Sequence, residues 1–331
     1  MFNVLFTLFI ASEFCYYLLI AQTGIVEVFH SDISAFFTLP LGGIIGSLLV
    51  YRPLRWLKND QAKMSFFIAL QLLCSLFYPS LNLALLGILG ISLGMSAPLL
   101  IKISRGFYTH IAVALGFTYA IATPLFTYAP LLRGNLAILL SLLALITSFF
   151  IHKRPHHKII LQEPLSFYAI VSMAIWAFLD ANLFETLSRA QDISIWRSHT
   201  WYVIMIFHVV GMATAFFLRE RIKEPSFTIV LLFALSYMLY ATKEALLLSM
   251  VYPFVISYYN FVIMQRLARV TTLRYLGIIM LFTGWIAGGG GLMSALSGYT
   301  YIGVLVICIL LCIEIYNLLY QTSQKRINNV Q

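Results

Sequence analysis

The chain has 331 residues, of which 61% are apolar and only 10% charged, with a mean hydropathy of +0.91. A soluble domain carries about 25% charged residues, so this composition excludes a water-soluble surface of ordinary polarity and implies a chain that crosses a membrane many times. The net charge of +9 does not point to nucleic acid, because the cations are scattered through short gaps between apolar runs and form no basic domain.

A membrane helix needs roughly 20 apolar residues. Cutting the apolar runs at charges, prolines and polar clusters gives twelve segments in chain order: 2–22, 33–51, 64–78, 81–101, 108–128, 135–151, 166–184, 201–218, 226–242, 245–264, 275–296 and 299–320. Tyr78-Pro79-Ser80 separates the third from the fourth, and Lys243-Glu244 the ninth from the tenth. In both cases the joined run is too long for one crossing, so each cut is read as a tight turn. The third segment is short and is expected to begin inside the preceding loop. The first segment carries Glu13 and lacks a basic leader and a small-residue cleavage site, so no cleavable signal is expected. Cys15, Cys74, Cys308 and Cys312 all fall inside apolar segments and say nothing about disulfides.

Seventeen of the 21 Lys and Arg residues lie in alternate gaps. Arg52, Arg55, Lys58 and Lys63 follow segment 2; Lys102 and Arg105 follow segment 4; Lys153, Arg154 and Lys158 follow segment 6. Arg219, Arg221 and Lys223 follow segment 8; Arg266, Arg269 and Arg274 follow segment 10; Lys325 and Arg326 lie in the tail. The other gaps hold only Arg133, Arg189, Arg197 and Lys243. Basic loops stay on the cytoplasmic side, so both termini are expected in the cytoplasm. The longest basic gap, 152–165, divides the segments six and six. The expected organisation is an N-terminal bundle over 1–151, a cytoplasmic linker over 152–165 and a C-terminal bundle over 166–331. His156 and His157 in that gap read as a solvated linker rather than a metal tract.

The two halves show a repeat. Gly46 precedes a basic cluster that begins six residues later at Arg52 and continues to Arg55; Ala213 precedes one that begins six residues later at Arg219 and continues to Arg221. Both lie after the second segment of a six-segment half. On these features the chain resembles the major facilitator superfamily, over its whole length as topology. The family's loop signature Gly-x4-Asp-Arg-x-Gly-Arg is matched at Gly46, Arg52 and Arg55, with Tyr51 in place of the acid and Leu54 in place of the second glycine. Its helix-4 pattern Arg-x3-Gly-x2-Gly is present as Leu83, Gly87 and Gly90, without the arginine. The resemblance implies an all-α membrane protein of twelve transmembrane helices in two six-helix bundles. It also implies a monomer in the cell's inner (cytoplasmic) membrane that is not an enzyme, and a small solute or ion carried between the halves. Gly46, Arg52, Arg55, Arg219 and Arg221 become the candidate gating loops.

Small residues let helices approach closely in lipid. Gly42, Gly43 and Gly46 are placed to do so on segment 2, and Gly87, Gly90 and Gly94 on segment 4. Gly284 and the run Gly288 to Gly291 do the same on segment 11, where the run also weakens the helix.

Ionisable groups inside lipid are costly and usually face a cavity. Glu13 in segment 1, Asp180 in segment 7 and His208 in segment 8 stand out. Segments 1 and 7 are counterparts in a six-plus-six repeat, so the two acids are candidates for proton or cation coupling. Asp180 could equally be wetted from outside beside Glu185 and Arg189. Gln22, Gln71, Trp176, Asn182, Tyr252, Tyr258, Tyr259 and Asn260 are candidates to line a pocket for an amphipathic solute.

His208 and Met212 are four residues apart on one helical face, with Met205 beside them. Thioether plus imidazole suits a soft ion such as Cu(I). The His-x3-Met pattern also resembles the copper-importing branch of the superfamily, whose partner pattern in helix 7 is represented here by Met173 alone. Copper import therefore stands beside solute transport as a reading, with packing as the plainer account of the four residues. A ten-helix drug/metabolite-type carrier and a membrane enzyme on lipid-linked substrates are further alternatives. No Gly-x4-Gly-Lys-Ser/Thr loop is present, so no nucleotide is expected to drive transport, and no resident cofactor is expected.

Overall fold

The computed structural model describes residues 2–29, 33–55, 57, 59–126, 129–151, 165–190, 193, 195–197, 201–221 and 225–313. The His156-His157 pair, Lys58, Lys223 and the basic tail lie outside the described residues. Among the described residues there is no strand. The helices are α1 Phe2–Tyr16, α2 Gly24–Phe29, α3 Ile33–Leu49, α4 Asp60–Ser75, α5 Leu83–Ser104, α6 Tyr108–Leu125 and α7 Gly134–Ser148. They continue as α8 Phe167–Arg189, α9 Trp201–Leu218, α10 Ser226–Ala241, α11 Ala245–Ala268, α12 Leu273–Met280, α13 Gly289–Leu296 and α14 Tyr301–Ile313. Two wide turns of π-helix, Tyr17–Gln22 and Leu281–Gly288, join α1 to α2 and α12 to α13 as longer rods. Among the described residues, six helical stretches are long and apolar enough to cross a membrane: Asn3–Phe29, Leu83–Ser104, Phe167–Arg189, Trp201–Leu218, Ala245–Ala268 and Leu273–Leu296.

Both weak cuts fall at real helix breaks. The α4 helix stops at Ser75, and α5 starts after Asn82, whose side-chain carbonyl caps it by accepting from the Leu85 N–H at 2.9 Å. The α10 helix stops at Ala241, and Lys243 turns the chain with φ 59° before α11. The third segment begins at Asp60, inside the basic gap, where Asn59 caps α4 by accepting from the Ala62 N–H at 2.7 Å.

Glycine decides the closest approach. A Cβ on Gly42 would overlap the Gly87 carbonyl, one on Gly46 the Ile91 carbonyl, one on Gly90 the Leu39 carbonyl, and one on Gly94 the Gly43 carbonyl. The α3 and α5 backbones therefore touch along their length, as the spacing predicts. The same helix pair recurs in the second half, where a Cβ on Gly211 of α9 would strike the Phe254 backbone of α11. In α13, Gly291 lies against the Phe178 carbonyl of α8, whereas Gly284 and Gly289 face open space. The rod containing the glycine run widens at Leu281–Gly288 and resumes an α-helix at Gly289.

Helices before and after the 152–165 gap meet along two main seams, with α5 also touching α11 and α12. The α3 helix packs on α12 and the π turn after it, and α6 packs on α9 and α11. In the six-plus-six count these seams join the second segment to the eleventh and the fifth to the eighth, two contacts that a two-fold repeat interchanges.

The basic residues gather at one end of the bundle. Lys102 pairs with Asp60 at 2.5 Å, and the Lys63 ammonium donates to the Arg52 carbonyl at 2.7 Å. Arg105 donates to the Val270 carbonyl, and the guanidinium groups of Arg52 and Arg274 each lie 5.4 Å from the Tyr51 ring centroid. Arg133 and Arg189 sit at the opposite end. Arg133 is 2% exposed and donates to the Leu19 carbonyl (2.8 Å), the Thr23 hydroxyl (2.7 Å) and the Phe126 carbonyl (3.0 Å). It thus fastens the loop before α7 to the wide turn within the first rod. Arg189 pairs with Glu185 on its own helix and approaches Glu27 of α2 at 3.7 Å.

Candidate functional site

A cavity of about 270 Å³ lies between the halves. The first half contributes side chains from α1 and its π turn, α5 and α6, and the second from α8, α9, α11 and the π turn before α13. Glu13, Asp180 and His208, singled out on three separate segments, all line it.

Glu13 is buried, and its Oε1 accepts from the Gln71 amide of α4 at 3.3 Å. Among the described residues no donor reaches its other oxygen, and the Gln71 Oε1 behind it is also without a partner. Asp180 is more fully held. The Tyr252 hydroxyl donates to Oδ1 at 2.8 Å and the Tyr259 hydroxyl to Oδ2 at 2.6 Å, both from α11. Asp180 is 8% exposed and faces this cavity, so it is not a residue of the outer rim beside Arg189. His208 is anchored through Nδ1 to the Ser257 hydroxyl at 2.8 Å. Its ring stacks on Tyr119 of the first half, with centroids 4.7 Å apart and planes 8° from parallel, and lies 6.5 Å from the Trp196 ring, 18° from parallel. Trp196 comes from the short turn Ile195–Arg197 and also contacts Phe126 and Phe184. No Lys or Arg lines the cavity among the described residues.

By sequence, no family model and no curated protein matches the chain. By structure, it is similar to the major facilitator superfamily transporter FucP in an outward conformation, with TM-score 0.57 and 12% identity, covering 93% of this chain and 98% of that one. It is equally similar to the E. coli fucose:proton symporter FucP, with TM-score 0.58 and 13% identity, covering 94% and 96%. The chain has the major facilitator fold. Both of these neighbours are transporters and neither is an enzyme.

Within this major facilitator fold the other singled-out residues divide. Gln22, Tyr259 and Asn260 line the cavity. Gln71 stands behind Glu13 as its hydrogen-bond partner. Trp176 is fully buried, with the Arg266 guanidinium 5.0 Å from its ring. Asn182 accepts from the Tyr237 hydroxyl at 2.8 Å, and Tyr258 stacks on Phe254 of its own helix. Of the soft-ligand set, only His208 reaches the cavity. Met212 is buried near Gly116 of α6, Met173 lies in the core, and Met205 is half-buried. In the loops, Gly46 seals α3 against α5, Arg52 lies on Tyr51, and Arg219 lies on Phe216 at 4.2 Å, while Arg55 and Arg221 are exposed. Contacts across the halves at this end come instead from Arg105 and Arg274. Tyr17, Tyr119, Trp196 and Trp285 line the cavity without having been singled out; an aromatic residue in an all-apolar helix shows no preferred face in the sequence.

Proposed function

We propose that this protein is a secondary transporter that moves a small solute by alternating access between two six-helix halves, over 1–151 and 166–331, with proton coupling through Glu13 and Asp180. The observation that carries this reading is the meeting of two buried carboxyl groups, from the first rod and α8, on one cavity between the halves. The two helices are counterparts in the repeat, and the fold is one that transporters use. A buried carboxyl that can take up and release a proton couples the charge of the cavity to its exposure. The gathering of the basic residues at one end supports twelve crossings of the inner membrane with both termini in the cytoplasm.

The test uses the purified protein in proteoliposomes. Glu13→Gln should lose accumulation driven by a pH gradient. Unchanged pH-driven accumulation defeats the coupling role. Cysteine labelling of the loops separates this topology from a ten-helix carrier: positions 58, 153 and 266 should be reached from the cytoplasm and position 243 from outside. Copper import by the same fold rests on His208 alone as a cavity ligand, and normal copper accumulation in His208→Ala cells would sink that reading.

A further inference from the structure

The fold neighbours named above include a carrier of a neutral sugar, yet the lining of this cavity suits a different ligand. A polyhydroxylated solute needs a dense set of side chains free to hydrogen-bond. Here five of the donors are already committed to backbone carbonyls, and the Trp196 Nε1 is a buried donor without a partner among the described residues. Thr118 donates to Ala11, Thr123 to Tyr119, Thr283 to Ile279, Ser96 to Leu93, and the Asn260 amide to Ile256, at 2.7–3.3 Å. The acceptors show the opposite balance. Glu13 is nine-tenths buried and keeps one oxygen with no donor among the described residues, while Asp180 adds a second carboxyl group. Polar groups left unpaired in a buried site favour whatever ligand supplies the missing partner. The walls carry the aromatic residues Tyr17, Tyr119, Phe126 and Trp196, and among the described residues no Lys or Arg lines the space.

We propose that the solute is an organic cation: an aliphatic ammonium group directed at Glu13, carried on a flat apolar or aromatic body that lies among the rings near Tyr119 and Trp196. An ammonium brings the N–H donors that Glu13 lacks, and ring faces attract a desolvated cation more strongly than an exposed one. Carboxylate and phosphate solutes are excluded by the two acids. This inference rests on the cavity being the transport site.

Three probes of nearly one shape and different charge test it: phenethylamine, phenethyl alcohol and phenylacetate, with L-fucose as the sugar control. Binding is measured by calorimetry on the purified protein in nanodiscs at neutral pH. The amine should bind at least about tenfold more tightly than the alcohol, and phenylacetate and L-fucose should give no heat. In Glu13→Gln the preference for amine over alcohol should fall to near unity while alcohol binding persists. Trp196→Leu should weaken the amine more than Trp196→Phe does, which gives a second readout should the Glu13 variant fail to fold. Equal binding of amine and alcohol, tighter binding of L-fucose, or no binding of the amine overturns the proposal. The transport reading fails separately: amine binding without phenethylamine counterflow in proteoliposomes leaves the site and removes transport, whereas L-fucose uptake without amine binding does the reverse.

Discussion

The Tyr259 hydroxyl donates to the Asp180 Oδ2 across 2.6 Å, and both side chains face the cavity between the halves. With Tyr252 on the other oxygen, the acid of α8 is fixed, among the described residues, by α11. Its counterpart Glu13 is held by a single longer bond. Two carboxyl groups of matched position thus differ in how completely the protein has satisfied them.

Tyr259→Phe removes one of the two donors and leaves a buried carboxylate oxygen bare. A buried acceptor left unpaired costs about 1–3 kcal/mol, so the variant should unfold at lower temperature in detergent. Tyr258→Phe, one residue along and away from Asp180, should not. Equal melting temperatures for the two would show that the Asp180 contact carries no stability.

Arg133→Ala should be among the most damaging changes outside the cavity. It strands the acceptors of Leu19, Thr23 and Phe126 and removes the cation that faces the Phe126 ring at 5.2 Å. Hydrogen bonds from a charged group are worth about 1.5–3 kcal/mol each. A large loss of folded yield is expected, with Arg133→Lys recovering only part because one ammonium cannot span three acceptors. Yield and melting temperature near wild type in Arg133→Ala would refute the strut.

Gly90→Ala places a methyl group on the Leu39 carbonyl, whereas Gly284→Ala meets nothing within 4 Å. Overpacking costs about 1–3 kcal/mol, while an open helical site gains up to about 1 kcal/mol from alanine. The two substitutions should therefore shift the melting temperature in opposite directions. A neutral Gly90→Ala would mean that α3 and α5 can separate freely.

The Lys102–Asp60 pair is expected to matter little. Both side chains are 34% exposed, and such pairs contribute about 0–1 kcal/mol. A double-mutant cycle with Lys102→Ala and Asp60→Ala should give a coupling energy under about 1 kcal/mol that shrinks further in high salt. A larger, salt-insensitive coupling would mark the pair as part of the closure at the basic end.

The helical fold and the two turns were legible because charge placement is a one-dimensional signal. Lys243 and Tyr78-Pro79-Ser80 fall where the chain turns, and the glycines of segments 2 and 4 meet backbone to backbone. Glu13, Asp180 and His208 were legible because an ionisable group in lipid has few tolerable places. What stayed hidden was which side of each helix faces inward. Gln71, Trp176, Asn182 and Tyr258 are as polar or aromatic as the residues that do line the cavity, and the helices that carry them are apolar all round. Trp196 was hidden for another reason: it sits in a three-residue turn between α8 and α9, where no helical periodicity predicts a side chain folding back into the bundle. Arg133 had a signal, as one of four cations outside the basic gaps, but topology counting treats such exceptions as noise.

The glycine contacts between α3 and α5 set what can move. Backbone lies on backbone there, with no side chains between to swing or slide, so the two helices behave as one plank, and the Gly211 contact makes the same true of α9 and α11. Contacts between those pairs and their neighbours run through side chains at Trp285 on Ser47 (3.1 Å), at Tyr51 between its two arginines and at the Tyr119–His208 stack, and through backbone where Gly277 of α12 lies against the Ser47 carbonyl. The stiffness of the bundle is thus concentrated in its glycine-sealed helix pairs.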